Sequence, residues 1–265
     1  MSDEILINIT PPETRVAIVE NGVLQEILIE RTRRRGLVGN IYKGKICRIL
    51  PGMQAAFVDV GLERAAFLHV SDLCPSVREK AIDDQIELVI RDGQELLVQV
   101  VKDPLGTKGA RLTTELAIPS VYLVYMPQAR SGGVSQRIES EPERLRLRHI
   151  VDAFQKEHGT GGFIARTAAE GIDEASLRAD MQFLVKLWNS ISQRQRTAKP
   201  KTLLHEDLPL SMRVLRDMHC ERVEKIRVDS RETYSRLNKF VREFVPELSA
   251  RLEHYSGERP LFDLY

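Results

Sequence analysis

The amino-acid sequence predicts an α+β protein organised around a small β-barrel. Three observations carry that reading. Residues 40–114 open NIYKGKICRILPGMQAAFVDVGLERAAFLHVSDL and close VQVVKDPLGTKGARLTTEL. Their alternating apolar runs, cut by Gly and Pro at short intervals, are the pattern of short strands in a barrel. Asn21 and Gly22 stand between two further alternating segments, the strongest short-range hairpin signal. Beyond Glu174, Leu177, Met181, Leu184, Val185 and Trp188 recur at helical spacing, which places them on one face of a helix.

In chain order, residues 5–30 read as a hairpin: ILINI, a break at Thr10, Pro11 and Pro12, then RVAIVE, the Asn21 and Gly22 turn, and VLQEILIE. The basic run Arg31, Thr32, Arg33, Arg34 and Arg35, closed by Gly36, reads either as a solvated linker or as an edge that contacts phosphate. Within 37–114, Pro51 and Gly52, Gly61, Asp92 and Gly93, and Pro104 with Gly106 mark turns. The acidic, irregular segment 74–92 reads as a loop inserted in the barrel. Past Pro119, VYLVYM is a buried strand, ARSGGVSQRIES a loop, 141–156 a helix, GGFIARTAAEG a strand running into a polar turn, and 174–196 a second helix. The polar stretch 192–202, with Pro200, reads as a linker. Residues 208–226 and 231–244 read as charged helices. The closing RPLFDLY puts Leu261, Phe262, Leu264 and Tyr265 in a run with no polar tail, so these residues are expected to pack against something, and the chain is expected to be a fragment.

A formal charge of +1 with 29% charged residues gives no global basic signature, so any nucleic-acid site must come from local clustering. No run approaches the roughly 18 apolar residues of a membrane-spanning helix. The start MSDEILINIT lacks the basic and apolar regions of a signal peptide. Cys47, Cys74 and Cys220 lie far apart with no CxxC. That spacing speaks against a disulfide framework or a self-contained Cys zinc site and fits a reducing cytoplasm.

Phe57 and Phe67 stand ten residues apart on strands separated by the turn at Gly61. In a hairpin both rings could project from one face, where aromatic stacking on bases is worth about 1–3 kcal/mol per base. Their immediate contexts, AAFVDV and AAFLHV, favour the blander reading of two core residues. His69 lies on the same strand face as Phe67. Lys43, Lys45, Lys102, Lys108 and Arg111 bracket the barrel strands, and KDPLGTKG sets two lysines around a Gly-containing turn. These are phosphate contacts or ordinary solvated lysines; phosphate contacts would supply affinity and salt dependence but no sequence choice. Ala165, Arg166 and Thr167 end a short apolar strand, and a guanidinium fork beside a hydroxyl suits a terminal monophosphate. A structural salt bridge is the commoner role for such an Arg. Magnesium-dependent phosphodiester hydrolysis needs convergent carboxylates, and here Asp59 and Asp229 stand alone in their strands. There is no HExxH, nucleophile elbow or P-loop. No catalytic or metal-binding residue is assigned.

The segments NIYKGKICRILPGMQAAFVDVGLERAAFLHVSDL, VQVVKDPLGTKGARLTTEL, GGVSQRIESE, FIARTAAEG, IRVDSR and RLEHYSGERPLFDLY occur in order along nearly the whole chain. Together they resemble the N-terminal half of the bacterial ribonuclease E/G endoribonucleases, on the ribonuclease G side of that family. The resemblance implies an S1 RNA-binding domain of OB type at 37–118, in which Phe57, Phe67 and Lys108 contact single-stranded RNA with Lys102 nearby. That implication outweighs the core reading of the two phenylalanines. It implies a 5′-sensor subdomain at 119–205, where Arg166 and Thr167 match side chains that bind a 5′-monophosphate and Val124 matches a position near the terminal base. Ser120 stands where ribonuclease E members carry Gly; a backbone-amide contact to the phosphate survives that change, while the added side chain takes up room at the point of approach. Residues 1–36 and 206–265 are implied to be two pieces of an RNase H-like subdomain. The family's magnesium-binding aspartates lie in a later domain, followed by a zinc link that organises oligomers, and both are expected to be absent here. On that reading the chain is a cytoplasmic, monomeric, RNA-holding and 5′-end-sensing portion of an endoribonuclease acting in ribosomal RNA maturation and messenger decay, and does not itself cut. A stand-alone RNA-binding adaptor and a purely structural module are the alternatives.

Overall fold

Strands β1 (Asp3–Ile9), β2 (Glu13–Glu20) and β3 (Val23–Arg31) form an antiparallel meander in the computed structural model, which describes residues 3–32, 36–78, 85–217 and 223–264. The β2–β3 turn has φ +50° at Asn21 and +79° at Gly22. These left-handed values match the twist of the flanking strands, and Asn and Gly adopt them at little cost. Arg33, Arg34, Arg35, Cys220 and Tyr265 lie outside the described residues.

The next strands build the barrel: β4 (Ile41–Leu50), β5 (Ala55–Asp59), β6 (Ala66–His69), then after the short helix α1 (Pro75–Arg78), β7 (Glu95–Lys102) and β8 (Arg111–Thr113). β4, β5 and β6 pair antiparallel in sequence, β8 runs parallel to β6, and β7 pairs with both β8 and β4. That second pairing closes a five-stranded, OB-like barrel. Its interior follows from strand parity: Ile46, Ala56, Val58, Ala66, Leu68, Val98, Val100 and Leu112 are buried. The described part of 74–92 is more ordered than the expected loop, because Ile86 and Ile90 are buried in the barrel core.

Strands β9 (Ile118–Pro119), β10 (Leu123–Met126), β11 (Gly133–Val134) and β12 (Gly162–Ala165) form a sheet in the order β11-β12-β10-β9. Helices α2 (Glu141–His158) and α3 (Glu174–Thr197) bury Leu147, Ile150, Phe154, Leu177, Met181 and Leu184 in one core with Leu123, Tyr125 and Phe163 of that sheet. Two expectations are corrected here. The loop expected before α2 contains β11, paired parallel to β12; a Cβ at Gly132 would sit 2.6 Å from the Phe163 carbonyl oxygen, so only Gly permits that approach. The expected linker at 192–202 is helical to Thr197 and leads into β13 (Thr202–His205), which pairs antiparallel with the first residues of β4 and buries Leu204.

After Leu208 the chain rejoins the first sheet through α4 (Leu210–Asp217), β14 (Val223–Val228), α5 (Arg231–Phe244) and β15 (Leu252–His254), giving the order β15-β14-β1-β2-β3. Residues divide accordingly into two units, Met1–Gly36 with Leu208–Tyr265, and Leu37–Asp207. The helix expected over 208–226 ends at Asp217; VEKIRV is instead a central strand, parallel to β1 with Ile5 opposite Ile226 and Ile7 opposite Val228. Burial of Val223, Ile226 and Val228 against Leu237 and Val241 outweighs the charges that made the segment look helical. Asp229 does not stand alone: it accepts from the Ile9 amide at 2.9 Å and from the Asn8 side chain. The terminal apolar run packs on the chain's own sheet, with Leu261 buried beside Leu6, Ala17 and Val19 and the Arg15 guanidinium 5.2 Å from the centre of the Phe262 ring. No helix among the described residues is long and apolar enough to cross a membrane.

The barrel closes tightly at Gly109, where a Cβ would lie 2.0 Å from the Ala65 carbonyl oxygen, whereas one at Gly52 would meet nothing within 4 Å. Gly109→Ala is expected to destabilise the protein by about 3 kcal/mol, as backbone-level overpacking does, and Gly52→Ala to leave it nearly unchanged. Urea unfolding of the two variants measures the difference.

Candidate nucleic-acid interface

Strand register decides where the two phenylalanines point. Ala56 and Val58 are buried, so Phe57 between them faces outward; Ala66 and Leu68 do the same for Phe67. The core reading of these two residues is thereby overturned. Phe57 lies directly opposite Phe67 across β5 and β6, with ring centroids 6.3 Å apart and edge-to-face. His69 continues the row, its ring stacked 6.4 Å from Phe67 and its Nδ1 2.8 Å from the Ser71 hydroxyl. The same register runs on across the barrel: Phe67 opposite Arg111 on β8, and Arg111 opposite Lys102 on β7. On the other side Arg48 of β4 lies opposite Phe57. This outward row offers aromatic faces flanked by cations, the two chemistries that hold a single strand through its bases and its phosphates.

The cations differ in availability. Lys102 and Lys108 are exposed, and Lys108 sits in a tight turn closed by reciprocal backbone hydrogen bonds with Leu105 at 3.1 and 3.0 Å. Arg111 is held bidentately by Asp72 at 2.9 and 3.0 Å, and that pairing raises its pKa further. Lys43 is committed elsewhere: its Nζ donates to the carbonyls of Gln195 and Ala198 at 3.2 and 2.9 Å and pairs with Glu95 at 3.1 Å. It caps the C-terminal end of α3, where orphan carbonyls favour a cation, and is not a phosphate contact. Asp59, which looked unpartnered, is bound by Lys201 at 2.6 Å. That hydrogen bond, with a lesser one from the Gly61 amide, holds the Asp59 carboxyl below its ordinary range.

A second cluster gathers residues distant in sequence. Arg166 follows β12, and its Nη1 donates to the carbonyl oxygens of Ser120 and Val121, the latter at 2.9 Å. Its amide donates to the Tyr122 carbonyl at 2.8 Å. Thr167 is exposed, its hydroxyl 3.4 Å from that of Ser135. Half-buried Val124 pairs with Ile164 on β12. Ser120 is buried and engaged at all three of its polar groups: its carbonyl accepts from Arg166, its amide donates to the Leu123 carbonyl at 2.8 Å, and its hydroxyl lies 2.6 Å from the Asp180 carboxylate. Asp180, on α3, also accepts from the Tyr122 amide at 3.1 Å. Nothing in the sequence pointed to Asp180 or Ser135, because each acts across elements that only the tertiary fold brings together. The amide contact expected of Ser120 is spent on the turn.

The strand-to-helix segment after Thr167 is clamped from α2. Glu143 accepts two hydrogen bonds from Arg146 at 2.8 and 2.7 Å and one from the Gly171 amide at 2.9 Å, while Arg146 donates to the Ile172 carbonyl at 2.8 Å. The Arg146 hydrogen bonds, then that of Gly171, lower the Glu143 pKa from 4.5 to about 2. A folded-state pKa below the unfolded value means stability that is complete above pH 4.5 and lost as pH falls toward 2. A carboxyl NMR titration is expected to place the Glu143 midpoint near 2, and Arg146→Ala to return it toward 4.5 with loosening of the Gly171 turn. An unshifted midpoint in the intact protein would remove the clamp.

Among the described residues no three His, Cys, Asp or Glu side chains converge to hold a metal ion. The family model described as Ribonuclease E/G family matches residues 117–265. Ribonuclease G of Salmonella typhimurium (strain SL1344) and of Escherichia coli (strain K12) are each 53% identical over 272 residues, covering 100% of this chain and 55% of the relative. Ribonuclease E of Haemophilus influenzae is 35% identical, covering 98% of this chain and 28% of the relative. The chain thus spans about half the length of the ribonuclease G relatives it matches. With more than half of its own residues matched by the family model, the protein belongs to the ribonuclease E/G family.

Proposed function

We propose that this chain is the RNA-holding part of a ribonuclease G-type endoribonuclease: the outer barrel face binds single-stranded RNA, and the Arg166 cluster receives a 5′-monophosphate. The observation that carries the first half is the outward pair Phe57 and Phe67, registered opposite each other at 6.3 Å with cations in line. A core pair would leave no such face. Lys102 and Lys108 supply phosphate contacts at its margin. For the second half, the support is the placement of Arg166, Thr167, Ser120 and Val124 around one strand end. The guanidinium and the Thr167 hydroxyl meet the phosphate, Val124 lies under the terminal base, and Ser120 holds the turn that orients Arg166. A terminal monophosphate carries more charge than an internal phosphodiester, so an Arg-centred site favours it.

In this reading the holding role serves ribosomal RNA maturation and messenger decay in the cytoplasm, and membership of the ribonuclease E/G family is what supports it; cleavage would depend on magnesium-binding carboxylates of the whole enzyme. The chain is proposed to work on RNA as a monomer. No step of the cutting reaction is assigned to its side chains.

Binding of a short single-stranded RNA with either a 5′-monophosphate or a 5′-hydroxyl tests both halves. The monophosphate form is expected to bind more tightly, and Arg166→Ala to erase that difference. Phe57→Ala and Phe67→Ala are each expected to weaken both ligands alike by about 1–3 kcal/mol with an unchanged unfolding midpoint. Equal binding of the two ends by the intact protein would refute the 5′-end reading, and unfolding of Phe57→Ala would restore the core assignment.

A further inference from the structure

Arg48 stands in the barrel row, but strand parity alone does not bring it there. Pairing of β4 with β5 sets Ile46 opposite Val58 and then Arg48, not Cys47, opposite Phe57. Cys47 is the extra residue of a β-bulge, and both Cys47 and Arg48 are exposed while Ile46 is buried. A bulge at this point re-aims the following side chain. Its effect is to turn Arg48 onto the face that Phe57 occupies, where simple alternation would have sent it inward. No ion pair holds Arg48 among the described residues, and the nearby Asp92 carboxylate already accepts from the Ile49 amide at 2.9 Å. The row therefore reads Arg48, Phe57, Phe67, Arg111, Lys102 across five successive strands. With neighbouring strands about 4.8 Å apart, the path from Arg48 to Lys102 around the curved barrel surface is about 19 Å, a contour that suits a few nucleotides wrapped on the barrel.

We propose that Arg48 is a binding residue of the barrel, contacting an RNA phosphate at the end of the row opposite Lys102, so that the aromatic pair is bracketed by cations on both sides. The inference rests on the reading of this face as a single-strand site. Two cationic ends with stacking between them hold a strand across the barrel strands, whereas a cation at one end alone would leave the nucleotide beyond Phe57 unheld. Arg111, tied to Asp72, contributes less charge to the row than its position suggests, which leaves Arg48 and Lys102 as the main phosphate partners within the row, with Lys108 at its margin.

The test is the salt dependence of binding to a fluorescent single-stranded oligouridylate of about ten nucleotides, within the 4–16 that one OB fold covers. Loss of one phosphate contact lowers the slope of log affinity against log salt by about 0.7 for a single strand. Arg48→Ala is expected to show that reduction with a roughly tenfold weaker affinity at low salt, and Arg48→Lys to recover the slope. Phe57→Ala should lower affinity without altering the slope, and Arg148→Ala, at an exposed site on α2, should alter neither. An Arg48→Ala protein with wild-type affinity and slope overturns the inference alone. So does an equal effect of Arg148→Ala, which would make the change one of net charge. Failure of the wild-type protein to bind overturns both the inference and the reading beneath it.

Discussion

The C-terminal end of α3 is fastened to the barrel, and the arrangement of residues 37–207 depends on that junction. Lys43 of β4 reaches the Gln195 and Ala198 carbonyls, the Lys201 amide donates back to the Lys43 carbonyl at 2.6 Å, and β13 then pairs with β4. Gly61 comes so close that a Cβ there would lie 2.5 Å from the Lys201 carbonyl oxygen. The two Lys43 contacts satisfy carbonyls that the end of α3 would otherwise leave unpaired. Near its other end the same helix supplies Asp180, which holds the turn that receives Arg166. One helix thus touches both the barrel strand that begins the proposed RNA-binding row and the turn behind the proposed phosphate site.

Barrel closure explains why the aromatic face is exposed rather than collapsed. Five short strands enclose a core filled by Ile, Val, Leu and Ala, with Gly44 and Gly109 in places where a larger residue would meet Val58 Cγ1 at 2.6 Å or the Ala65 carbonyl oxygen at 2.0 Å. The interior has no room for Phe57 or Phe67, and the outward face holds them side by side. Phe57 keeps 37% of its surface accessible and Phe67 is half-buried, so placing them outside forgoes a part of the roughly 1.5–3 kcal/mol that full burial of each ring would give, a cost consistent with a surface shaped for a ligand.

Much of this was legible in the sequence, and the failures share a cause. Alternation and turn residues gave the barrel, and helical spacing gave α3, because both are local patterns. Phe57 and Phe67 looked like core because Ala precedes and Val or Leu follows each of them; only register shows that those neighbours fill the interior. Lys43 looked like a phosphate contact because its partners, two helix-end carbonyls, lie more than 150 residues along the chain. Arg48 was hidden by the bulge at Cys47, which breaks the period of two on which strand reading relies. VEKIRV looked helical by charge, yet β1 on one side and β15 on the other make it a central strand. The Arg166 cluster was legible as a motif, but Asp180 and Ser135, which build the surroundings of that motif, were not.

The central claim is that one strand of RNA engages the barrel row and the Arg166 cluster together. Amide and methyl chemical-shift mapping with a 5′-monophosphorylated single-stranded RNA tests it most directly. The account predicts perturbations at Phe57, Phe67 and His69 and at Arg166, Thr167 and Val124 that saturate with one shared dissociation constant. Perturbation of only one group, or two groups saturating independently, would contradict it.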